Sequence, residues 1–233
     1  GGRKAKALSI SANSKMAVGI DITRNHIGFL LTNLTGQILK YERIYYPFCK
    51  SDGYFCDVNE KLEDFLEDSQ AEKEKILGIG ISFPGIVDLE KKEITNSHAL
   101  DVKALAFSYV EKFFQYPCVF LNDANAGAYA EGTQAGEEKQ FFYLSLSNTV
   151  GGAVYSNGKL VYGSEYRCGE VGHMTIVPDG LECYCGKTGC LDSYCTAKRL
   201  AELADGKLEG FFDGLRNERK EFVEEWDQYT NYL

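Results

Sequence analysis

The segment that decides the fold is "QFFYLSLSNTVGGAVYSNGKLVYG", residues 140–163, in which short polar turns separate three β-rich runs. The same triplet opens the chain as "MAVGIDI", "HIGFLLTNL" and "QILKYERIYY". Between the triplets, apolar spacing predicts alternating helices and strands, including a strand over residues 76–83 and a helix over residues 101–114. The repeat therefore predicts an α/β protein with two related lobes that face a cleft.

Composition narrows the class of protein further. Of 233 residues, 44% are hydrophobic and 25% charged, as in an ordinary globular protein. The net charge of -9 argues against nucleic-acid binding, which needs a basic surface. No apolar run approaches the ~20 residues of a membrane span, and the N-terminus lacks the apolar centre of a signal peptide. We therefore predict a cytoplasmic protein whose eight cysteines are reduced, which favours metal binding or burial over disulfides.

The predicted domains are a linker over residues 1–15, an N-terminal α/β lobe over 16–132 and a C-terminal α/β lobe over 133–233 that carries a cysteine-rich loop. A helical apolar stripe runs into the last residue, Leu233, without a stop signal. Strands that would complete a second lobe do not follow the cysteine loop. The second lobe is therefore predicted to be incomplete in this sequence.

The cysteine loop is "GEVGHMTIVPDGLECYCGKTGCLDSY", residues 169–194. One nitrogen and three sulfurs suit tetrahedral structural zinc, and Gly186 and Gly189 allow the tight turns that such convergence needs. The predicted zinc ligands are His173, Cys183, Cys185 and Cys190.

A second group of interest is "LNDAN", residues 121–125, which follows a predicted strand and precedes a predicted helix. Ligands bind at the carboxyl ends of strands in open α/β sheets. Asp123 could therefore act as a general base on a bound ligand. Asn and Asp are also common helix caps, and the spacing alone leaves both roles open.

These motifs together resemble the ROK family of repressors, uncharacterised reading frames and sugar kinases. The resemblance rests on "EVGH" with the cysteine loop, on "FPGIVD" at residues 83–88, on "LNDANAGAYAE" at 121–131 and on "NGKLVYGS" at 157–164. It implies the actin-like (ribonuclease H-like) two-lobed ATPase fold and, in kinase members, a catalytic base at Asp123. It also implies one His173 ring nitrogen on zinc and the other toward the sugar. The sugar contacts that it implies are Gly85, Asn96, Asn122, Asp123, Glu170, His173 and Asp192.

Two departures from the family pattern affect function. Asp192 stands where the family has glutamate, so its carboxylate is one methylene shorter. In both phosphate loops, residues with side chains replace glycines that would let the backbone approach phosphate oxygens closely. In the first loop Thr23 and Arg24 replace the two glycines and Asn25 replaces the threonine that follows them, and in the second loop the replacements are Ser147, Asn148 and Thr149.

The sequence therefore predicts the sugar-sensing effector domain of a ROK-type transcriptional repressor, with structural zinc and without ATP. The resemblance implies a homodimer in which sugar shifts the population of lobe arrangements, with DNA read only by an N-terminal winged helix-turn-helix that this sequence lacks. The alternative is an ATP-dependent hexose kinase of the same family that uses Asp123. A zinc-stabilised scaffold without a ligand would follow if Asp123, Glu170 and Asp192 failed to converge.

Overall fold

The computed structural model describes residues 9–135 and 139–233, so residues 1–8 of the predicted linker lie outside the described residues. The chain is an α/β protein that divides into two compact units, the first ending at Asp123 and the second beginning at Ala124. No described helix is both long enough and apolar enough to cross a bilayer.

The first unit contains eight strands and two α-helices among its described residues. In chain order these are β1 (Met16–Ile22), β2 (His26–Asn33), β3 (Ile38–Tyr45), α1 (Asp52–Asp68), β4 (Ile76–Phe83), β5 (Ile86–Asp88), β6 (Glu93–Ser97), β7 (Val102–Ala106), α2 (Phe107–Glu111) and β8 (Cys118–Asn122). The main sheet has the order β3-β2-β1-β4-β8, with β1 antiparallel to β2 and parallel to β4. The predicted first strand triplet is confirmed.

Helix α1 supplies much of the core of this unit. It begins after Ser51, whose side chain accepts a hydrogen bond from the backbone N–H of Tyr54 at 3.1 Å, as helix N-caps do. Its apolar residues recur at helical spacing and are buried with the alternating inward residues of β1 and β2. The buried residues of α1 are Tyr54, Phe55, Val58, Leu62, Phe65 and Leu66.

The predicted helix over residues 101–114 is wrong for its first half. Residues 102–106 form β7, which pairs antiparallel with β6 in a three-stranded sheet of order β5-β6-β7, and only residues 107–111 are α-helical. Val102 and Leu105 are both buried, three residues apart, which is a helical spacing. Ala104 has a left-handed φ of 52°, which breaks the usual alternation of a strand and produces this pattern within β7.

The second unit contains three strands and three further α-helices among its described residues, after α3 (Asp123–Ala135), which begins at the last residue of the first unit. In order they are β9 (Phe141–Leu146), β10 (Val150–Ser156), β11 (Lys159–Val161), α4 (Ala197–Glu202), α5 (Leu208–Arg216) and α6 (Lys220–Tyr232). The sheet has the order β11-β10-β9, all antiparallel, which confirms the predicted second triplet.

Small residues let α3 lie close to this sheet. A Cβ atom added to Gly127 would lie 2.6 Å from the ring of Tyr143, and one added to Gly132 would lie 2.3 Å from the ring of Tyr155. The three later helices form a separate apolar cluster around the fully buried Phe211. Helix α4 begins after Thr196, a residue type favoured at helix N-caps, whose side chain accepts a hydrogen bond from the N–H of Arg199 at 3.4 Å.

Candidate metal centre and sugar site

The four predicted metal ligands come together in the second unit. His173, Cys183, Cys185 and Cys190 each offer one ligand atom, and these atoms all lie within 4.8 Å of one another. Nδ1 of His173 is 3.7 Å from Sγ of Cys183, and Sγ of Cys185 is 3.7 Å from Sγ of Cys190. A tetrahedral zinc ion with Zn–S bonds of about 2.3 Å requires ligand atoms about 3.8 Å apart. The donor set and its spacing therefore fit structural zinc.

Backbone hydrogen bonds and two glycines shape the loop that carries this cluster, which we call the knot (residues 173–190). The N–H of Cys183 donates to the carbonyl of Lys187 at 2.8 Å, and the N–H of Gly186 donates back to Cys183 at 2.9 Å. Gly186 and Gly189 have φ angles of 88° and 75°, a region that favours glycine. A Cβ on Gly189 would lie 1.8 Å from the carbonyl oxygen of Val177, so a side chain at this position would block the fold of the knot.

The thiols of the knot are crowded in a way that a cation would relieve. Burial, followed by the neighbouring Cys185 and Cys183, raises the pKa of Cys190 to about 12. Thiolates are the form that binds metal, and a bound cation reverses the penalty for placing several of them together. Zinc bound at the knot would therefore favour the thiolate forms and hold the loop in one conformation.

Glycines also place Glu170 and His173 against β10. Gly169 has a φ of 105°, and its added Cβ would lie 2.4 Å from the carbonyl oxygen of Gly152. The equivalent atom on Gly172 would lie 2.1 Å from the carbonyl oxygen of Val150. The segment from Gly169 to His173 thus lies directly on the strand, with Glu170 exposed at the start of its single helical turn.

Asp192, a predicted sugar contact, is only 5% exposed and has a clear structural partner. Its Oδ1 accepts a buried hydrogen bond from the backbone N–H of Val150 at 2.5 Å, which ties the end of the knot to the first residue of β10. Burial raises the pKa of Asp192, and the Val150 N–H acts in the opposite direction. The structure thus assigns Asp192 a role that sequence reasoning missed, and its contact with sugar stays a prediction.

Tyr184 is a second residue that sequence reasoning missed. It lies between two knot cysteines, and its hydroxyl is 3.4 Å from Nε2 of His173, the ring nitrogen that faces away from Cys183. Burial, and then the acidic groups Asp192, Cys183, Glu170 and Cys185, raises the pKa of Tyr184. The only signal in the sequence is its position between two predicted zinc ligands.

Tyr184 and Asp192 line one groove of about 400 Å³ in the second unit. The groove also reaches Asn148 and Thr149, which occupy the second of the altered phosphate loops. Ligand pockets in proteins commonly have volumes of about 300–1,000 Å³. The groove is therefore large enough for a small ligand beside the knot.

In the first unit, three predicted sugar contacts come together at the carboxyl end of the sheet. Nδ2 of Asn122 donates to the carbonyl oxygen of Gly85 at 2.8 Å. Gly85 has a φ of 116°, and a Cβ added to it would lie 2.4 Å from the carbonyl oxygen of Asn96. Asp123 follows Asn122 directly and is the first residue of α3. Asn96 is thus placed with Gly85 and Asn122 rather than apart from them.

The first altered phosphate loop forms a turn in which the polar groups of Thr23 and the side chain of Arg24 bond within the first unit. The N–H and Oγ1 of Thr23 both donate to the carbonyl oxygen of His26, at 3.0 Å each, and the N–H of His26 donates to Thr23 Oγ1 at 3.1 Å. Nη1 of Arg24 donates to the carbonyl of Ala99 at 2.9 Å. These donors are engaged within the unit instead of forming an open cradle.

In the second altered loop, too, polar groups bond to other residues of the same loop. Both the N–H and the Oγ of Ser147 donate to the carbonyl oxygen of Thr149, at 3.2 and 3.1 Å. Gly151 and Gly152, which follow this loop, lie within β10. A Cβ added to Gly151 would lie 3.4 Å from the Cβ of Ala124, and one added to Gly152 would lie 2.7 Å from the ring of Phe142. Neither loop presents a run of glycine N–H groups of the kind that binds phosphates.

Comparisons with known proteins define the family. The ROK family model matches residues 17–223. The xylose repressor of Bacillus spizizenii is 30% identical over 207 residues, covering 86% of this chain and 53% of that protein. A glucokinase of Halalkalibacterium halodurans is 29% identical over 196 residues, covering 80% of this chain and 58% of that protein.

A solved structure of a ROK family transcriptional regulator, a homologue of the E. coli MLC protein, gives a TM-score of 0.77 at 22% identity. The match covers 94% of this chain and 60% of the regulator's chain. This chain belongs to the ROK family and has its actin-like α/β fold, as the sequence predicted. The chain spans about half the length of the curated relatives it matches, and those relatives include both repressors and sugar kinases.

Proposed function

We propose that this chain is the sugar-sensing effector domain of a ROK-type transcriptional repressor. The observation that carries the proposal is the turn at Thr23–His26, in which the N–H and Oγ1 of Thr23 donate to the carbonyl of His26 and the Arg24 guanidinium donates to the carbonyl of Ala99. A kinase needs backbone and side-chain donors aimed at the phosphates, because phosphoryl transfer depends on positioning and charge stabilisation. The similarity to xylose repressors supports the same choice.

Each unit carries polar groups suited to sugar hydroxyls. In the first unit these are Asn122 and Asp123, beside Gly85 and Asn96 at the strand ends. In the second unit they are Glu170 and His173 on the segment that lies against β10. Carboxylates and amides accept and donate the hydrogen bonds that sugars offer, and those with a charged partner contribute roughly 1.5–3 kcal/mol each.

Structural zinc is the cofactor that we propose for the knot. Four protein ligands complete a tetrahedral shell, so the ion would stabilise the loop and would not present an open position for substrate. His173 and Cys190 are ligands in this proposal, and Glu170 and Asp192 lie within three residues of them in sequence. Zinc would thereby restrain the chain segments that carry the carboxylates of Glu170 and Asp192. We further propose that the protein is a cytoplasmic homodimer.

An ATP-dependent hexose kinase is the second candidate. It is favoured by Asp123, which begins α3 directly after β8, and by the similarity to a glucokinase. The test is calorimetric titration with a panel of sugars, with and without MgATP, followed by an assay for ADP release. Sugar binding without turnover supports the sensor. Turnover that disappears in Asp123→Asn supports the kinase and overturns the sensor.

A further inference from the structure

Arg24, in the first altered phosphate loop, lies at the sheet edge that carries the predicted sugar contacts of the first unit. It is two residues beyond the end of β1, and Gly85 is two residues beyond the end of β4, the parallel neighbour of β1. Asn122 ends β8, which is parallel to β4. Parallel strands end at the same edge of a sheet, and open α/β folds bind ligands at that edge. Arg24 therefore shares its sheet edge with Gly85 and Asn122.

The side chain of Arg24 is anchored next to another predicted sugar contact, Asn96. Its Nη1 donates to the carbonyl oxygen of Ala99 at 2.9 Å. Ala99 lies in the turn after β6, in which the Oγ of the buried Ser97 accepts from the N–H of Leu100 at 3.2 Å. Ala99 follows Asn96 by three residues, at most about 10 Å of extended chain. The guanidinium is thus held between the loop after β1 and the turn after Asn96.

The backbone of Arg24 is held as well. Its carbonyl oxygen accepts from the N–H of Phe48 at 2.9 Å, and the carbonyl oxygen of Asn25 accepts from the N–H of Tyr46 at 2.9 Å. The exposed side chain therefore starts from an ordered base, which lowers the entropy cost of binding a ligand. Within the residues that the structure describes, the Arg24 guanidinium donates only to Ala99 and forms no ion pair.

The chemistry of a guanidinium indicates which ligand these remaining donors suit. It is always charged, and it presents several N–H donors in one rigid plane that matches the oxygens of a phosphate or a carboxylate. One such fork can hold one anionic group, but it does not replace the run of backbone N–H groups that binds the phosphates of a nucleotide. The net charge of -9 disfavours anions in general, so an anionic ligand needs a local cation of this kind.

We propose that Arg24 binds the anionic group of an acidic sugar, meaning one that carries a phosphate or a carboxylate, and that it sets a preference for acidic over neutral sugars. The proposal rests on the proposed sugar-sensing function. The residue that replaces a glycine of the first phosphate loop would hold a phosphate or carboxylate that is already part of the sugar, and no group is transferred.

The test is calorimetry on the full-length, zinc-loaded protein with D-glucose, its 1-phosphate, its 6-phosphate, D-glucuronate and inorganic phosphate as probes. We expect at least one acidic sugar to bind about tenfold or more tightly than D-glucose, because hydrogen bonds between charged groups are the stronger ones. Arg24→Met should remove this difference and leave the affinity for D-glucose unchanged. Arg24→Lys should keep part of it, because lysine keeps the charge without the planar fork.

Two controls separate a specific contact from a general effect of charge. Arg216→Met makes the same change in net charge at an exposed arginine of α5, and it should leave every affinity unchanged. A higher salt concentration should weaken binding of the acidic sugar and not that of D-glucose, because salt screens the attraction between exposed charges.

The outcomes separate this proposal from the sugar-sensing function beneath it. If D-glucose binds but no acidic sugar binds more tightly, or if the difference survives in Arg24→Met, the role of Arg24 is overturned and the sugar site remains. Inorganic phosphate that binds as tightly as the best acidic sugar, or MgATP binding that is lost in Arg24→Met, also overturns it, because the ligand is then a free anion or a nucleotide. No binding of any sugar to the unsubstituted protein overturns both proposals.

A loss of D-glucose binding in Arg24→Met would indicate that the substitution disturbs the turn around Ala99. Nitrogen-15 labelling of arginine in the unsubstituted protein then decides. An Arg24 Nε–H resonance that shifts with the acidic sugar and not with D-glucose supports the contact, and one that shifts with neither overturns it.

Discussion

Replacing Asp192 with alanine should loosen the start of β10 while the rest of the chain stays folded. Asp192 is 5% exposed, and its Oδ1 accepts a hydrogen bond from the backbone N–H of Val150 at 2.5 Å, across 42 residues of sequence. Val150 is itself buried and packs with Leu191 and Tyr194 in the helical core of the second unit. Alanine would leave the Val150 N–H buried without its acceptor.

The structure sets the size of the effect. A hydrogen bond to a charged acceptor contributes about 1.5–3 kcal/mol, which is the local cost expected when the carboxylate is removed. Since about 1.4 kcal/mol corresponds to a factor of ten, the Val150 amide should exchange with solvent roughly 10- to 150-fold faster in Asp192→Ala. Other amides of β10 should be affected less, because their strand partners remain.

The assay is hydrogen exchange resolved at single amides, with zinc content measured in parallel. Asp192→Asn is the matched control: it keeps an acceptor oxygen in nearly the same place, and we expect its exchange to rise by about tenfold or less, because a neutral bond is weaker than a charged one. Val150 exchange that stays the same in Asp192→Ala would refute the reasoning. It would mean that water or another group replaces the carboxylate at no cost.

Three further predictions concern metal and sugar. The purified protein should contain about one zinc per chain by elemental analysis, and Cys185→Ser should lose both zinc and sugar binding; a metal-free, carefully reduced protein would contradict this. Glu170→Ala and Asp123→Ala should each weaken sugar binding at least tenfold, or about 1.4 kcal/mol, with zinc retained; unchanged calorimetric affinities would place the pocket elsewhere. Gly85→Ala should destabilise the first unit in thermal unfolding, because its Cβ would lie 2.4 Å from the Asn96 carbonyl oxygen; a melting temperature equal to that of the unsubstituted protein would show that the loop can move aside.

Sequence periodicity was sufficient for the larger elements of this fold. Both strand triplets, the buried strand β4 and the cap of α4 lie where apolar alternation and capping residues predict them. These are local signals: a pleated strand repeats every two residues, and a helix N-cap offers a side-chain oxygen to its first turn. The convergence of His173, Cys183, Cys185 and Cys190 also agrees with the sequence, because three cysteines and a histidine at this spacing are typical of a zinc site.

The failures come from features that depend on contacts distant in sequence. The strand β7 was mistaken for a helix because Val102 and Leu105 are spaced as in a helix, and the left-handed Ala104 that causes this spacing leaves no mark in the sequence. Asp192 and Tyr184 were not assigned their contacts because each depends on a residue at least 11 positions away. Neither partner can be identified until β10 and the knot are in place.

The central claim, that the chain senses sugar and does not phosphorylate it, is tested most directly by one calorimetric series on the full-length, zinc-loaded protein. D-Xylose and D-glucose are titrated with and without MgATP, and ADP release is measured in the same samples. The account predicts binding of at least one sugar, an affinity that MgATP leaves unchanged, and no ADP above the level of a sugar-free control. Sugar-dependent ADP release that is abolished in Asp123→Asn would contradict it.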